Sequence, residues 1–491
     1  MGFSDITPYP EQIAHVERLL EIFKRQQKAD VKIKLAGDFS PPGAGKTITT
    51  LMATDRLPVE GVLVVASVSM LDIWLATGEI ASVKIIDAIS NEKLRGTATG
   101  GCHNPYLSRV GNNFEVTEYF RELAKKGILV VFDEYHNLKN SDSDRMKAAH
   151  ALIKGLENTP SYGILLSATP FYKKEEVEAT LKLLGIITSD KLIDYIPKIG
   201  RYTTPGIDEL RRYCAGIDRA LTQKIIPIVV NDKNVTDVIY AAFIKIIKPN
   251  MISSMPKPKI DVNLKVNNRF YKLGEADTQI LVTAAEELRK RLALCKANND
   301  MTGLIRAIRC YMLESERAKV NKIIDEVTDY LTIDPTNKAL VYVWTHDSIH
   351  RLYEVLSKKW PGQVEILNGE TPRKQRSKII KDYQEDSDRL RLILSHPEVG
   401  GVGVSLDDTK GNRKRHTFAI PDYRVLTLIQ LICRTYRVTT KSDAEVTFIY
   451  CENVRFELNL IYNICDKLDI IKEVTQPEFI DHIFPRAILK P

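Results

Sequence analysis

The sequence predicts an α/β fold: two parallel-sheet units with a mostly helical insertion between them. Three observations carry this. Short apolar runs alternate with helical stretches from 31 to about 185. Long charged helical stretches replace that alternation from 186 to 335, and it resumes from 336 to about 475. Apolar runs of strand length, separated by helices, are the pattern of parallel sheets covered on both faces. At 491 residues the chain also exceeds one ordinary domain. The expected boundaries are 1–185, 186–335, 336–475 and a tail at 476–491.

The elements follow in order. "PYPEQIAHVERLLEIFKRQQ" is amphipathic at helical spacing and starts after a Pro-Tyr-Pro stop, so a helix is expected over about 8–30. "VKIKLAGDF", "GVLVVAS", "VKIIDA", "GILVVFDE" and "YGILLSAT" supply the strands of the first unit. In the insertion, "EADTQILVTAAEELRKRLALCKA" and "GLIRAIRCYMLESERAKVNKIIDEVTDYL" flank the short "PKPKIDVNLKV" strand. "ALVYVWT", "VEILNG", "LRLILS", "RHTFAI" and "EVTFIY" restore the alternation in the second unit. No short-period repeat or low-complexity tract interrupts it.

Composition narrows the function classes. Hydrophobic content of 44% and charged content of 27% are those of a globular chain, and the formal charge of +7 permits nucleic-acid binding. No run approaches the ~18 apolar residues of a membrane span, and the first residues lack the layout of a secretory signal. The seven cysteines form no C-x-x-C pair and no zinc-like grouping with histidine. An intracellular chain with reduced thiols is expected, with no membrane partner.

Three stretches carry chemistry. "DFSPPGAGKTITT" lies between an expected strand and an expected helix, the context of a phosphate-binding loop. There Pro42, Gly43, Ala44, Gly45, Lys46, Thr47 and Ile48 would form the phosphate cradle, with Gly43 and Gly45 letting backbone N–H groups approach the phosphates at a helix N-terminus. Lys46 would reach the β/γ-phosphates and the Thr47 hydroxyl would ligate Mg²⁺. Ser40 stands where the strict pattern has glycine. "GILVVFDEYHNLKN" ends a strand in two carboxylates, where α/β sheets place their ligands. Asp133 would hold Mg²⁺, and Glu134 would activate water as a general base. "QLICRTYR" sets Arg434 and Arg437 three apart, neighbours on one face if the segment is helical.

"SPPGAGKT", "DEYH", "SATP" and "QLICRTYR" occur in the order and spacing of the superfamily-two helicases and translocases. "VLVVASVSMLDIW", "DEYHNLKN", "ILNGETPRKQRSKIIKDYQ" and "LRLILSHPEVGGVGVSLDD" resemble the Swi/Snf-related members of the DEAD/DEAH type. The resemblance covers about 8 to 475. Tyr135 departs from it where alanine is usual, as does Ser405 where Asn is frequent. With few residues after Arg437, the chain resembles compact helicase-like ATPases of large DNA viruses and phages.

The resemblance implies two RecA-like lobes, ATP and Mg²⁺ as cofactors, and ATP hydrolysis coupled to movement along nucleic acid. DNA is expected ahead of RNA, with transcription or replication proteins as further partners. Host cytoplasm, nucleus or virion would be the location. Gln12 matches the adenine-reading glutamine; Gln430, Arg434 and Arg437 match the arginine-finger helix, with Cys433 replacing its glycine. His136, Ser167 and Thr169 match the segment that links hydrolysis to lobe movement. Ser67, Thr345, Ser395 and Gly403 lie in loops that contact the nucleic-acid backbone. His346 and His350, four apart without a third ligand, are expected on a solvated face. Two rival readings are an RNA helicase and a non-catalytic two-lobe scaffold.

Overall fold

The computed structural model describes residues 7–475 except 30, 98–100, 103, 141–142, 198–199, 257–259, 299, 398–404 and 453. The chain divides between Pro258 and Lys259 into two compact units, and residues 469–475 return to the first.

In the first unit the long-range sheet contains β1 (Lys34–Asp38), β2 (Val62–Ala66) and β3 (Ile85–Ser90). A hairpin of β4 (Leu107–Val110) and β5 (Asn113–Val116) follows, then β6 (Leu129–Asp133) and β7 (Tyr162–Leu166). After a second hairpin, β8 (Asp194–Ile196) and β9 (Arg201–Thr203), comes the two-residue β10 (Ile252–Ser253). The six-stranded sheet runs in the order β10-β1-β7-β6-β2-β3, and all its pairs are parallel.

Strand alternation sorts the side chains into two layers. Val62, Val64, Leu129 and Val131 pack with Leu19, Phe23 and Trp74, whereas Leu63, Val65, Val130 and Phe132 pack with Phe120, Leu152 and Ile153. The first layer is covered by helices α1 (Pro10–Lys28), α2 (Lys46–Asp55) and α3 (Val68–Ala81). Pro10 opens α1 because its fixed φ suits the first helical position and its missing N–H is not needed there.

The second unit contains β11 (Leu264–Tyr271), β12 (Lys338–Tyr342), β13 (Val364–Leu367), β14 (Leu392–Ser395), β15 (Arg415–Ala419) and β16 (Ala444–Cys451). They form another all-parallel sheet, in the order β11-β16-β15-β12-β14-β13. The antiparallel hairpin of helices Glu275–Ala297 and Met301–Ile333 belongs here, its second helix packing Val320, Ile323, Val327 and Leu331 on the sheet. Two parallel-sheet lobes are therefore present, as the sequence predicts.

The insertion at 186–335 is corrected. It is not a module of its own: residues up to 258 complete the first unit and the rest begins the second. The physical reason is strand pairing at long range. β10 adds to β1 through Gly37↔Ile252 and Asp38↔Ser253, and β11 pairs β16 along eight residues from Leu264↔Ala444. The boundary at 336–475 moves likewise, since Val474 is buried in the core of the first unit. The expected tail at 476–491 lies outside the described residues.

Candidate functional site

The C-terminal edge of the first sheet carries the site. β1 ends at Asp38, the chain turns through 39–45, and α2 begins at Lys46. Gly43 and Gly45 adopt φ of 76° and 90°, backbone that side chains disfavour. At Gly45 space is the second constraint, because a Cβ there would lie 2.3 Å from Gln12 Nε2. The Lys46 ammonium donates to the carbonyls of Ser40 (3.0 Å) and Pro41 (3.3 Å). Ala44 is buried, and Pro42, Thr47 and Ile48 are half-buried.

Gln12 reaches this loop from α1. Its Oε1 accepts the Tyr9 N–H at 3.0 Å and its Nε2 donates to the Ala44 carbonyl at 3.0 Å. A primary amide has two N–H donors and two carbonyl lone pairs, so a donor and an acceptor remain for a planar base edge.

Ser40 fills the place of the usual glycine for a visible reason. Its N–H donates to Asp38 Oδ1 at 2.9 Å, its hydroxyl donates to the same oxygen, and it accepts the Met255 N–H at 2.9 Å. Tyr135, where alanine is usual, stacks on Phe39 with centroids 5.6 Å apart and sets its hydroxyl 3.3 Å from that of Thr180.

The acid pair closes β6. Asp133 Oδ2 accepts the Trp74 indole N–H at 2.9 Å and Oδ1 accepts the Glu134 N–H at 2.9 Å. Burial, then the charge of Glu134, pushes the Asp133 carboxyl up to about 6 against the Trp74 bond and Lys46. A buried carboxylate beside a half-buried one gains from a hard cation held by oxygen. Asp133 and Thr47 offer carboxylate and hydroxyl oxygens, the donor types that Mg²⁺ takes beside phosphate and water. The described residues contain no cluster of three or more His, Cys, Asp or Glu able to hold a metal.

Glu134 sits at φ 51°, ψ 48°, left-handed backbone that costs a non-glycine residue on the order of 1 kcal/mol. Its Oε2 lies 3.1 Å from His136 Nδ1, which is also 3.1 Å from Ser167 Oγ. Ser167 Oγ in turn accepts the Thr169 N–H at 3.1 Å. The structure thus brings Glu134, His136, Ser167 and Thr169 into one chain of polar contacts.

In the second unit the helix Val425–Thr435 presents Gln430 half-buried and Arg434 buried. The shared helix face for Arg434 and Arg437 is corrected. The helix ends at Thr435, and Tyr436 is extended (φ −128°, ψ 99°). Arg437 lies past that end, its N–H bonded to Thr440 Oγ1 at 2.7 Å and its Nε–H to the Cys433 carbonyl at 2.8 Å. The turn made by Thr440 competes with helix continuation, as hydroxyl side chains do.

The expected nucleic-acid contacts divide. Ser67 is half-buried at the start of α3, 3.2 Å from Ser69 Oγ. Thr345 is half-buried; its hydroxyl donates to buried Glu316 at 2.6 Å and accepts the Ser348 N–H at 3.1 Å as a helix cap. Ser395 is buried and donates to the Leu367 carbonyl at 2.5 Å. Gly403 lies outside the described residues. His346 and His350 are exposed, as expected.

Sequence reasoning missed Trp74 as a partner of Asp133, and His15. Trp74 stood inside a quoted motif but nothing local marked its indole as a donor. His15 follows Gln12 by three residues, one helical turn, which was the available signal.

Comparison with known proteins shows what the chain is similar to. Residues 318–439 match the helicase conserved C-terminal domain. A relative from Acanthamoeba polyphaga mimivirus, described as "Putative ATP-dependent RNA helicase", is 22% identical over 486 residues, covering 96% of this chain and 84% of its own. The Sulfolobus solfataricus SWI2/SNF2 ATPase core in complex with dsDNA is 15% identical over 96% of this chain and 97% of that one, with a TM-score of 0.33. S. cerevisiae Dbp5 bound to RNA and ADP BeF3 is 13% identical over 97% and 94%, with a TM-score of 0.41. Residues 318–439 thus carry a match to the helicase conserved C-terminal domain, and over most of its length the chain is similar to a protein described as an ATP-dependent helicase.

Proposed function

We propose that the chain is a nucleic-acid motor that hydrolyses ATP with Mg²⁺ and moves along DNA duplex without base-specific reading. The observation that carries this is the contact chain from Glu134 through His136 and Ser167 to Thr169. It joins Glu134, the proposed base, to the segment after β7, which would give a change at the γ-phosphate a path out of the site. A switch of this kind, in which loss of the γ-phosphate releases a segment, is a known way to couple hydrolysis to movement.

The residues take these roles. Gln12 reads the adenine edge with its spare donor and acceptor. The loop 42–48 holds the phosphates, and Lys46 leaves its carbonyl partners for the β/γ-phosphate oxygens. Thr47 and Asp133 hold Mg²⁺, which supplies charge neutralisation of the phosphates. Glu134 takes the proton of the attacking water. Arg434 and Arg437, with Gln430, stabilise the charge that develops on the transferred phosphoryl group. Ser67 contributes to the grip on backbone phosphates, a contact that carries no sequence information.

The mimivirus relative's description as an RNA helicase favours RNA as a second reading. Both readings are tested by ATPase rates with single- and double-stranded DNA and RNA, side by side, across a salt series. Stimulation by duplex DNA that falls with salt is expected. Stimulation by RNA alone would replace DNA with RNA; no stimulation by any of the four would remove the motor.

A further inference from the structure

Behind the phosphate loop lies a buried polar relay that the nucleotide-site reading does not use. His15, on α1, is 0% exposed, and its Nε2 lies 3.0 Å from Asp38 Oδ2. Its Nδ1 lies 3.0 Å from Ser253 Oγ on β10. The other Asp38 oxygen takes the N–H and the hydroxyl of Ser40, and the Ser40 hydroxyl accepts the Met255 N–H. The Ser253 carbonyl accepts the Phe39 N–H at 2.9 Å. Asp38, Ser40 and Ser253 are 0–5% exposed. Three segments far apart in sequence, at 15, 38–40 and 253–255, therefore meet at the root of one loop.

We propose that His15 is a positioning residue for the phosphate loop: with Ser253 it orients Asp38, Asp38 fixes Ser40, and Ser40 sets the backbone that carries Lys46. The last step is visible in the Lys46 ammonium, which rests on the carbonyls of Ser40 and Pro41. Burial alone would raise the Asp38 carboxyl, yet the His15 ring, Lys46 and the Ser40 hydroxyl hold it below its ordinary value. An ionised carboxylate at that place is a stronger acceptor for both Ser40 groups. Glycine at 40 would lose the hydroxyl that ties the loop to residue 255, so serine here is a gain in loop definition rather than a lapse from the motif. The relay touches the phosphate side of the site, whereas the adenine side rests on Gln12.

This inference depends on the reading of 42–48 as a nucleotide site, and its test separates the two. Equilibrium binding of ATP and of adenosine is measured on the full chain and on its Ser253→Ala, Ser40→Gly and His15→Gln variants, beside thermal melting. Ser253→Ala and Ser40→Gly should weaken ATP on the order of tenfold, the effect of losing one hydrogen bond in a charged network, and leave adenosine unchanged. In turnover the loss should appear in KM, with kcat within about twofold, because the loop holds ground state and transition state alike. Ser253→Thr, which keeps the hydroxyl, should restore ATP affinity. Equal weakening of ATP and adenosine, tracking the fall in melting temperature, would reduce the relay to a folding element and overturn the proposal. Unchanged ATP affinity in both serine variants would overturn it as well. A wild-type chain that binds neither ligand would remove the nucleotide site itself, and the relay's role with it.

Discussion

At the scale of single residues, Lys46 and Glu134 stand on different parts of the proposed reaction. Lys46→Ala removes a positive charge from the phosphates, so ATP affinity and turnover should fall together. Glu134→Gln keeps the shape of the site but not the base, so ATP–Mg²⁺ should bind within a few-fold while turnover falls by ~10²–10⁴. Equal loss of binding in both variants would deny them separate roles. Lys338 gives a prediction of another kind. It is buried at the start of β12 and donates to the carbonyls of Tyr383 and Glu385, both at 2.8 Å. Burial, then Arg415 and Arg413, push its ammonium down to about 7. Its folded value therefore lies below the unfolded one, and between the two the unfolded chain binds the extra proton. The resulting penalty is present in full below about pH 7 and is relieved as pH rises toward 10. Melting of the second unit should accordingly shift upward from pH 7 to pH 9, and Lys338→Met should flatten that slope. A slope unchanged in the variant would assign it to other groups.

At the scale of elements, much was legible in the sequence, and the failures have physical causes. The parallel strands read directly from runs such as "VLVVA" and "LVVFD", because a strand buried on both faces is apolar at every position. The loop between β1 and α2 and the strand ending at Asp133 were equally plain, since their patterns are local. β10 was not, because two residues carry no period and gain their place only by pairing β1 across more than 200 positions. The arginine helix failed at its end for a similar reason. Spacing put Arg434 and Arg437 on one face, but the Thr440 hydroxyl captures the Arg437 N–H and the helix stops at Thr435. The two arginines should then differ on substitution. Arg434→Ala should leave ATP affinity within a few-fold and cut nucleic-acid-stimulated turnover by ~10³ or more, as for a group acting in the transition state. Arg434→Lys should not rescue it, for a point charge lacks the planar fork. Arg437→Ala should in addition loosen the turn at 433–440, lowering the melting temperature where Arg434→Ala does not. Equal melting of the two variants would return them to one structural class.

At the scale of the whole molecule, the terminal helix Arg455–Val474 divides its loyalties. Glu457, near its start, is buried in the second unit, where it pairs with Lys319 at 2.5 Å and accepts the Ser315 hydroxyl at 2.8 Å. Its last turns belong to the first unit. There Val474 and Ile471 are fully buried, Glu473 accepts the Tyr240 hydroxyl, and its carbonyl accepts the Lys248 ammonium at 2.8 Å. The first unit is thus completed by residues more than 200 positions beyond its main segment. A chain ended after Leu468 loses at least two buried aliphatic side chains, about 3 kcal/mol or more. For a unit of this size that lowers melting by roughly 5–10 °C. The affected transition is identifiable, because an ATP analogue that binds only the folded first unit raises it by mass action. Truncation should lower that transition and leave the other in place, and Val474→Ser in the full chain should produce part of the same fall. A truncated chain whose nucleotide-responsive transition is unmoved would mean that 469–474 merely rest on the first unit without stabilising it.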